Sequence, residues 1–286
     1  MAFLAAVLAA LTTVGGAPAE PVAKPLRELP RGGTRILPDH RVVAYYGGAT
    51  TPALGVLGEG TPAQAARRLE RVARRFATKR RPVLPAFELI ASVAQASAGP
   101  DGDYSHPTKP ADIQRYLTAA RRAKALLILD VQPGRAPFLR EARRYERFLR
   151  QPDVSLALDP EWSMRAGQVP GQTIGSTDAR TINGVSAYLA GLVRRYKLPQ
   201  KLLVVHQFTP QMVRNRGRVV PRKGLAITFH IDGFGTQGAK RAKYRQLRAR
   251  PPFWNGLKLF YDEDVDRFTP AEVLALRPIP DLISYQ

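Results

Sequence analysis

The chain predicts a single (β/α)8 barrel, class α/β, and two observations carry that expectation. Eight short apolar runs alternate with helix-length segments over roughly 250 residues, the rhythm and size of such a barrel. The runs are continuous in Val, Ile and Leu rather than alternating with polar residues, as strands buried on both faces require. An open doubly wound sheet fits less well, because no Gly-rich phosphate loop follows any run. Gly233-x-Gly235 lacks the third glycine and the helix start.

The elements follow in order. Residues 1–19 carry no charge and end in the small-residue site Ala17-Pro18-Ala19, which predicts a signal peptide or N-terminal anchor. Residues 20–38, rich in Pro, Arg and Gly, read as a linker or arm, and residues 39–286 as the barrel domain. The first strand is 41–46 (RVVAYY). Thr61-Pro62-Ala63-Gln64 then forms a capping box that opens a helix with Ala65, Leu69, Val72, Ala73 and Phe76 along one stripe. The second strand is 83–88, followed by a helix over 111–123 with Ile113, Tyr116, Leu117 and Ala120 inward. The third is 125–130, followed by a helix over 138–149.

The fourth strand, 155–161, ends Asp159-Pro160-Glu161-Trp162, and a long helix spans 178–196. The fifth strand is 202–206, with a short helix from Thr209-Pro210. The sixth is 225–231, with a basic helix over 238–248. The seventh is 257–261, and Thr269 to Glu272 forms a second capping box. The eighth is 282–285.

Composition narrows the function classes. The 286 residues contain 44 Lys and Arg against 23 Asp and Glu, a net charge of +21, which favours polyanions such as anionic cell-wall polymers. No specific nucleic-acid module accompanies that charge, and aromatics are not interleaved with it as single-strand binding needs. With no cysteine, disulfides and thiolate metal sites are excluded. His206 and His230 stand on separate strands, too few for a His-rich zinc site, so neither metal nor cofactor is expected. No Gly-x-Ser-x-Gly elbow supports a serine nucleophile.

In a barrel of this kind the site lies at the C-terminal strand ends. Those ends carry Tyr45, Tyr46, Glu88, Asp130, Gln132, Asp159, Glu161, Trp162, His206, Gln207, His230, Asp232, Tyr261, Asp262 and Tyr285. Asp159 and Glu161, two apart in an extended strand, are expected to face one space, where two carboxyls cannot both ionise cheaply. Acids beside Tyr and Trp suit a sugar site, because an acid protonates a glycosidic oxygen and an aromatic face covers a pyranose. Glu161, Asp159, Asp232 and Asp262 are the catalytic candidates; the others named are substrate-binding candidates.

The Asp-x-Glu at the end of strand four resembles the barrel glycoside hydrolases of the chitinase-like and lysozyme-like groups. That resemblance implies Glu161 as general acid/base and Asp159 as the residue that orients it. Two further Asp of the chitinase strand are Val154 and Ala157 here, and the Trp of its last strand is Tyr285. A two-carboxylate mechanism with Asp232 or Asp262 as the second group therefore stays open. The expectation is an exported, extracytoplasmic glycoside hydrolase acting on a polysaccharide. The alternatives are a non-catalytic carbohydrate-binding barrel and a cationic binder of anionic cell-surface polymers.

Overall fold

A computed structural model of the chain describes residues 28–286, so the expected signal segment and most of the linker lie outside the described residues. Eight parallel strands form the barrel: β1 Arg41–Gly47, β2 Val83–Ala94, β3 Leu126–Val131, β4 Val154–Leu158, β5 Lys201–Gln207, β6 Leu225–Ile231, β7 Trp254–Leu259 and β8 Leu282–Tyr285. Each pairs with the next, and β1 closes the ring by pairing with β8 (Val42 opposite Leu282) as well as with β2 (Val42 opposite Leu84). A three-residue strand, Ser105–Pro107, adds antiparallel to the far end of β2.

The helices are α1 Pro62–Ala73, α2 Pro110–Arg122, α3 Phe138–Arg144, α4 Glu146–Leu149, α5 Ala179–Tyr196, α6 Gln237–Leu247 and α7 Pro270–Leu274. Both capping boxes form. Thr61 Oγ1 accepts from Gln64 N and Thr269 Oγ1 from Glu272 N, while each partner side chain returns to the cap's own backbone N–H. The segment 138–149 is two helices rather than one. It breaks at Tyr145, whose hydroxyl donates to the carbonyl of Ala91 at 2.5 Å and so ties that turn to the sheet. After Thr209 only a single 3-10 turn forms, Pro210–Met212. The following stretch has no apolar stripe and passes through a left-handed Asn215 (φ 54°). Among the described residues no helix is long and apolar enough to cross a membrane.

Strand alternation divides the core in two. Val42, Ala44, Leu84, Ala86, Leu126, Ile128, Ala157, Leu202, Val204, Ala226 and Leu282 fill the barrel interior. Their neighbours (Val43, Phe87, Leu127, Leu156, Leu203, Ile227, Leu257 and Ile283 among them) point outward and bury the apolar faces of the helices. Leu29, Ile36 and Leu37 belong to the interior cluster, so the described part of the Pro-rich arm plugs the N-terminal end of the barrel. Gln200 Oε1 accepts from the backbone N–H of Ile36 and Leu37 at 2.8 and 2.9 Å, and thereby fastens the plug to the start of β5.

The same alternation moves three of the expected aromatic platforms away from the mouth. Tyr45 and Tyr285 point outward with Val43 and Ile283, and both are buried under the helices. Tyr261 lies just past β7, stacks on Tyr285 at 5.4 Å and meets the Tyr45 hydroxyl at 3.3 Å. Tyr45→Ala should therefore cost about 3–5 kcal/mol of stability, by analogy with large-to-small core changes. Tyr45→Phe, which removes only one hydroxyl contact, should cost about 1 kcal/mol. Urea unfolding of the two variants measures both.

Candidate active site

Above the apolar interior, each strand contributes an inward polar residue at or just past its C-terminal part. Tyr46, Glu88, Asp130, His206, His230, Lys258 and Ser284 stand on seven of the strands, Asp159 follows the end of β4 directly, and Asp232 is one inward step past His230. All are buried.

Buried polar groups of this density persist only if they pair. His206 is the hub. Its Nε2 lies 2.9 Å from Glu88 Oε1 and its Nδ1 2.8 Å from Asp232 Oδ2, so β2, β5 and β6 meet at one imidazole. Burial opposes the charge on His206, but hydrogen bonds to the two carboxylates outweigh it and hold its pKa well above 6.5. It is an imidazolium that donates from both nitrogens. Asp232 answers in the opposite sense: burial would raise it, yet the bond and charge of His206 bring its pKa below 3.8. The Tyr46 hydroxyl donates to Asp130 Oδ2 at 3.0 Å and accepts from Gln132 Nε2 at 3.1 Å. Burial pushes Asp130 up to about 6, although the His206 charge works against it. His230 sits beside His206, with ring centroids 5.1 Å apart. Burial and the neighbouring imidazolium hold it well below 6.5, and its Nε2 meets Ser284 Oγ at 2.7 Å as a neutral ring.

Asp159 and Glu161 reach one space, but not along an extended strand. β4 stops at Leu158, Asp159 caps a 3-10 turn over Pro160–Trp162, and its Oδ1 accepts from the Glu161 N–H at 3.3 Å. Pro160 at the first position of the turn favours that geometry. A second contact clamps the turn. The Gly175 N–H donates to the Glu161 carbonyl at 2.6 Å, and a Cβ there would lie 2.6 Å from the carbonyls of Pro160, Glu161 and Ser163. Only glycine lets the loop close on the turn. Burial drives the Asp159 carboxyl well above its ordinary range despite the His206 charge. Burial first, and the Asp232 charge second, raise Glu161 as well.

These groups open onto a cavity of about 390 Å3. Tyr46, Gln132, Asp159, Glu161, Trp162, Phe208, Asp232, Phe234, Lys243, Lys258 and Phe260 line it together. Of the expected residues, Glu88, Asp130, His206 and His230 lie in the polar layer beneath and support the lining without joining it. Gln207 faces away and ties the next loop, donating to Thr209 O at 3.0 Å and accepting from Arg216 at 2.8 Å. Asp262 is exposed and does not line the cavity. Lys258 and the three Phe were not anticipated. A lone Lys between Leu257 and Leu259 in a buried strand was the available signal for the first. A larger hollow of about 1310 Å3 lies on the flank between α1 and α2 and holds none of the strand-end residues.

Asp159, His206 and Asp232 offer ligand atoms within 4.8 Å of one another, the spacing a metal ion would need. Both nitrogens of His206 are already committed to carboxylates, so its ring has no lone pair to offer an ion. The trio fits an internal ion-pair network better than a metal centre.

No protein-family model and no curated protein matches the chain. Among solved structures it is similar to the Clostridial cellulose synthase subunit Z (CcsZ) from Clostridioides difficile. The identity is 8% over 86% of this chain and 91% of that one, with a TM-score of 0.44, too remote a likeness to bear on function.

His206→Gln should destabilise the fold by about 3–5 kcal/mol, because it leaves buried carboxylates without their counter-charge. The raised His206 pKa makes its contribution full below 6.5 and lost as pH rises through the folded value. The depressed Asp232 pKa makes its contribution full above 3.8 and lost as pH falls through the folded value. Denaturant unfolding across pH should show the variant's deficit largest between those limits and smaller on either side.

Proposed function

We propose that the protein is a glycoside hydrolase, with Glu161 as the proton donor and Asp232 as the ionised partner. The observation that supports this reading is the opposed tuning of two carboxyls in one aromatic-walled cavity. Glu161 is raised, so it holds a proton to give, while Asp232 is depressed and stays charged. Environments that push two carboxyls apart assign acid and base. Glu161 protonates the glycosidic oxygen as the bond to the anomeric carbon breaks, and the Asp232 carboxylate offsets the oxocarbenium charge that develops. Its Oδ1 has no hydrogen-bond partner among the described residues, which leaves that oxygen free for the reacting centre.

Asp159 acts through Glu161, since its carboxyl accepts from the Glu161 N–H and sets the turn. Trp162, Phe208, Phe234 and Phe260 supply apolar faces for the sugar ring, and Phe234, 63% exposed, stands at the rim as a platform for a chain that extends outward. The cavity volume suits one or two sugar units of a longer chain. The uncharged apolar residues 1–19 support export, and the +21 net charge supports a substrate embedded in anionic cell-wall material.

Glu161→Gln should reduce turnover by at least about 1000-fold with the circular dichroism spectrum unchanged, as expected for loss of a general acid. The wild-type kcat/KM profile should be bell-shaped. It rises with pH as Asp232 ionises below 3.8 and falls as the raised Glu161 loses its proton above 4.5. Reducing-end release from a panel of polysaccharides measures both. Full turnover by Glu161→Gln overturns the assignment.

A further inference from the structure

Among the described residues three lysines are buried, and two of them are fully bonded. Lys201 donates to the carbonyls of Gln151 and Val154 at 2.6 and 2.5 Å. Lys240 pairs with Asp264 at 2.9 Å and donates to the carbonyls of Gly233 and Lys258. The third, Lys258, is 4% exposed and breaks the pattern. Among the described residues its ammonium has no hydrogen-bond acceptor within 3.5 Å and no carboxylate oxygen within 4.0 Å. It rests instead 3.5 Å from the centroid of the Tyr46 ring, a cation–π contact, and lines the active-site cavity.

Lys243 comes to the same cavity from α6. It too has no acceptor or acid within those limits among the described residues. Its Nζ would lie 2.0 Å from a Cβ at position 233, so the missing side chain of Gly233 is what admits the ammonium to the mouth. An unpaired buried cation costs free energy unless something arrives to meet it. Lys258 and the half-buried Lys243, from separate elements, line one cavity together with Asp159, Glu161 and Asp232, and the Lys258 charge is felt by Glu161 and Asp232 without contact.

We propose that Lys258 and Lys243 form an anion subsite that selects sugars bearing a carboxylate, so that the preferred substrate is a uronate-type acidic glycan. The inference rests on the glycan reading of this cavity and names its substrate class. A substrate carboxylate between the two ammonium groups makes charge-assisted hydrogen bonds in a site that excludes much of the water, where such bonds are strongest. The acids of the cavity do not forbid it: burial favours the neutral forms of Asp159 and Glu161, and His206 offsets Asp232.

The test is a binding titration in the Glu161→Gln background, where turnover does not interfere, followed by tryptophan fluorescence because Trp162 lines the cavity. The probes are tetramers of glucuronate and galacturonate and the same tetramers with their carboxyls reduced to alcohols, all at one ionic strength. At least one uronate tetramer should bind tenfold or more tighter than its reduced form. That preference should fall below about threefold in Lys258→Met and in Lys243→Met, and persist in Lys258→Arg. Lys243 is only half-buried, so its variant keeps the test readable if the Lys258 variants unfold. Equal affinity for reduced and acidic tetramers, no binding of either, or a preference that survives both Met changes would overturn the proposal. The hydrolase reading fails by a different sign: Glu161→Gln that still releases reducing ends, whatever the preference of the subsite.

Discussion

The organisation of the barrel mouth depends on one protonated imidazole. His206 sits where the interior changes from apolar to polar, and it holds Glu88 on β2 and Asp232 at the end of β6 by both ring nitrogens. Without its charge the two carboxylates would have to be buried with no counter-ion, an arrangement that costs several kcal/mol per ion. With it, Asp232 is fixed in the ionised state, and that negative charge is one of the two causes that raise Glu161. Burial is the first of those causes, and the charges of Lys258 and of His206 itself act against them, so the rise of Glu161 is the net of opposed neighbours. Metal ligation would require giving up that arrangement, because it needs a lone pair that the imidazolium no longer has.

Much of the fold was legible because short Val-, Ile- and Leu-rich runs, bounded by turn residues and alternating with helix-length segments, mark parallel strands buried on both faces. All eight runs became strands in the expected order, and the two Thr-Pro-x-Gln/Glu boxes capped helices where expected. Less legible was which residue at each strand end faces the axis. Tyr45 and Tyr46 are adjacent in sequence and equally aromatic, yet the first is packed under helices and the second donates to Asp130. Alternation settles the matter only once the register of a single inward residue is known. With Val42 and Ala44 inward, Tyr46 must be inward and Tyr45 outward; Ser284 and Tyr285 divide in the same way.

The Asp159–Glu161 pair shows a different limit. The expectation that both face one space holds, but the reason for it was taken from strand geometry and the structure supplies another. A strand would have placed them by alternation. The turn places them by a side-chain-to-backbone hydrogen bond and by the approach of Gly175, 14 positions downstream. No local pattern announces that approach, since a glycine in a loop usually signals backbone freedom rather than a neighbour at 2.6 Å. Lys258 was hidden for the opposite reason. A lysine in an apolar run is read as solvated, and nothing in the run itself says that its surroundings are a closed cavity.

The charge distribution then has a consistent physical reading. Helices carry the Arg-rich exterior, where each charge keeps its water and the total of +21 acts at a distance. Inside, charge is nearly balanced by design of the sheet: Lys240 against Asp264, and His206 between Glu88 and Asp232. Lys201 is instead held by two backbone carbonyls, whereas among the described residues Lys258 and Lys243 have neither carbonyl nor carboxylate in contact and line the cavity. A polyanionic glycan drawn by the exterior field would meet an acidic rim as well as these two cations. Long-range attraction of this kind speeds encounter without choosing what binds, whereas the short-range pairing inside the cavity chooses. A chain whose exterior is cationic can thus still discriminate, because what it binds is decided by the few charges that line the cavity rather than by the total.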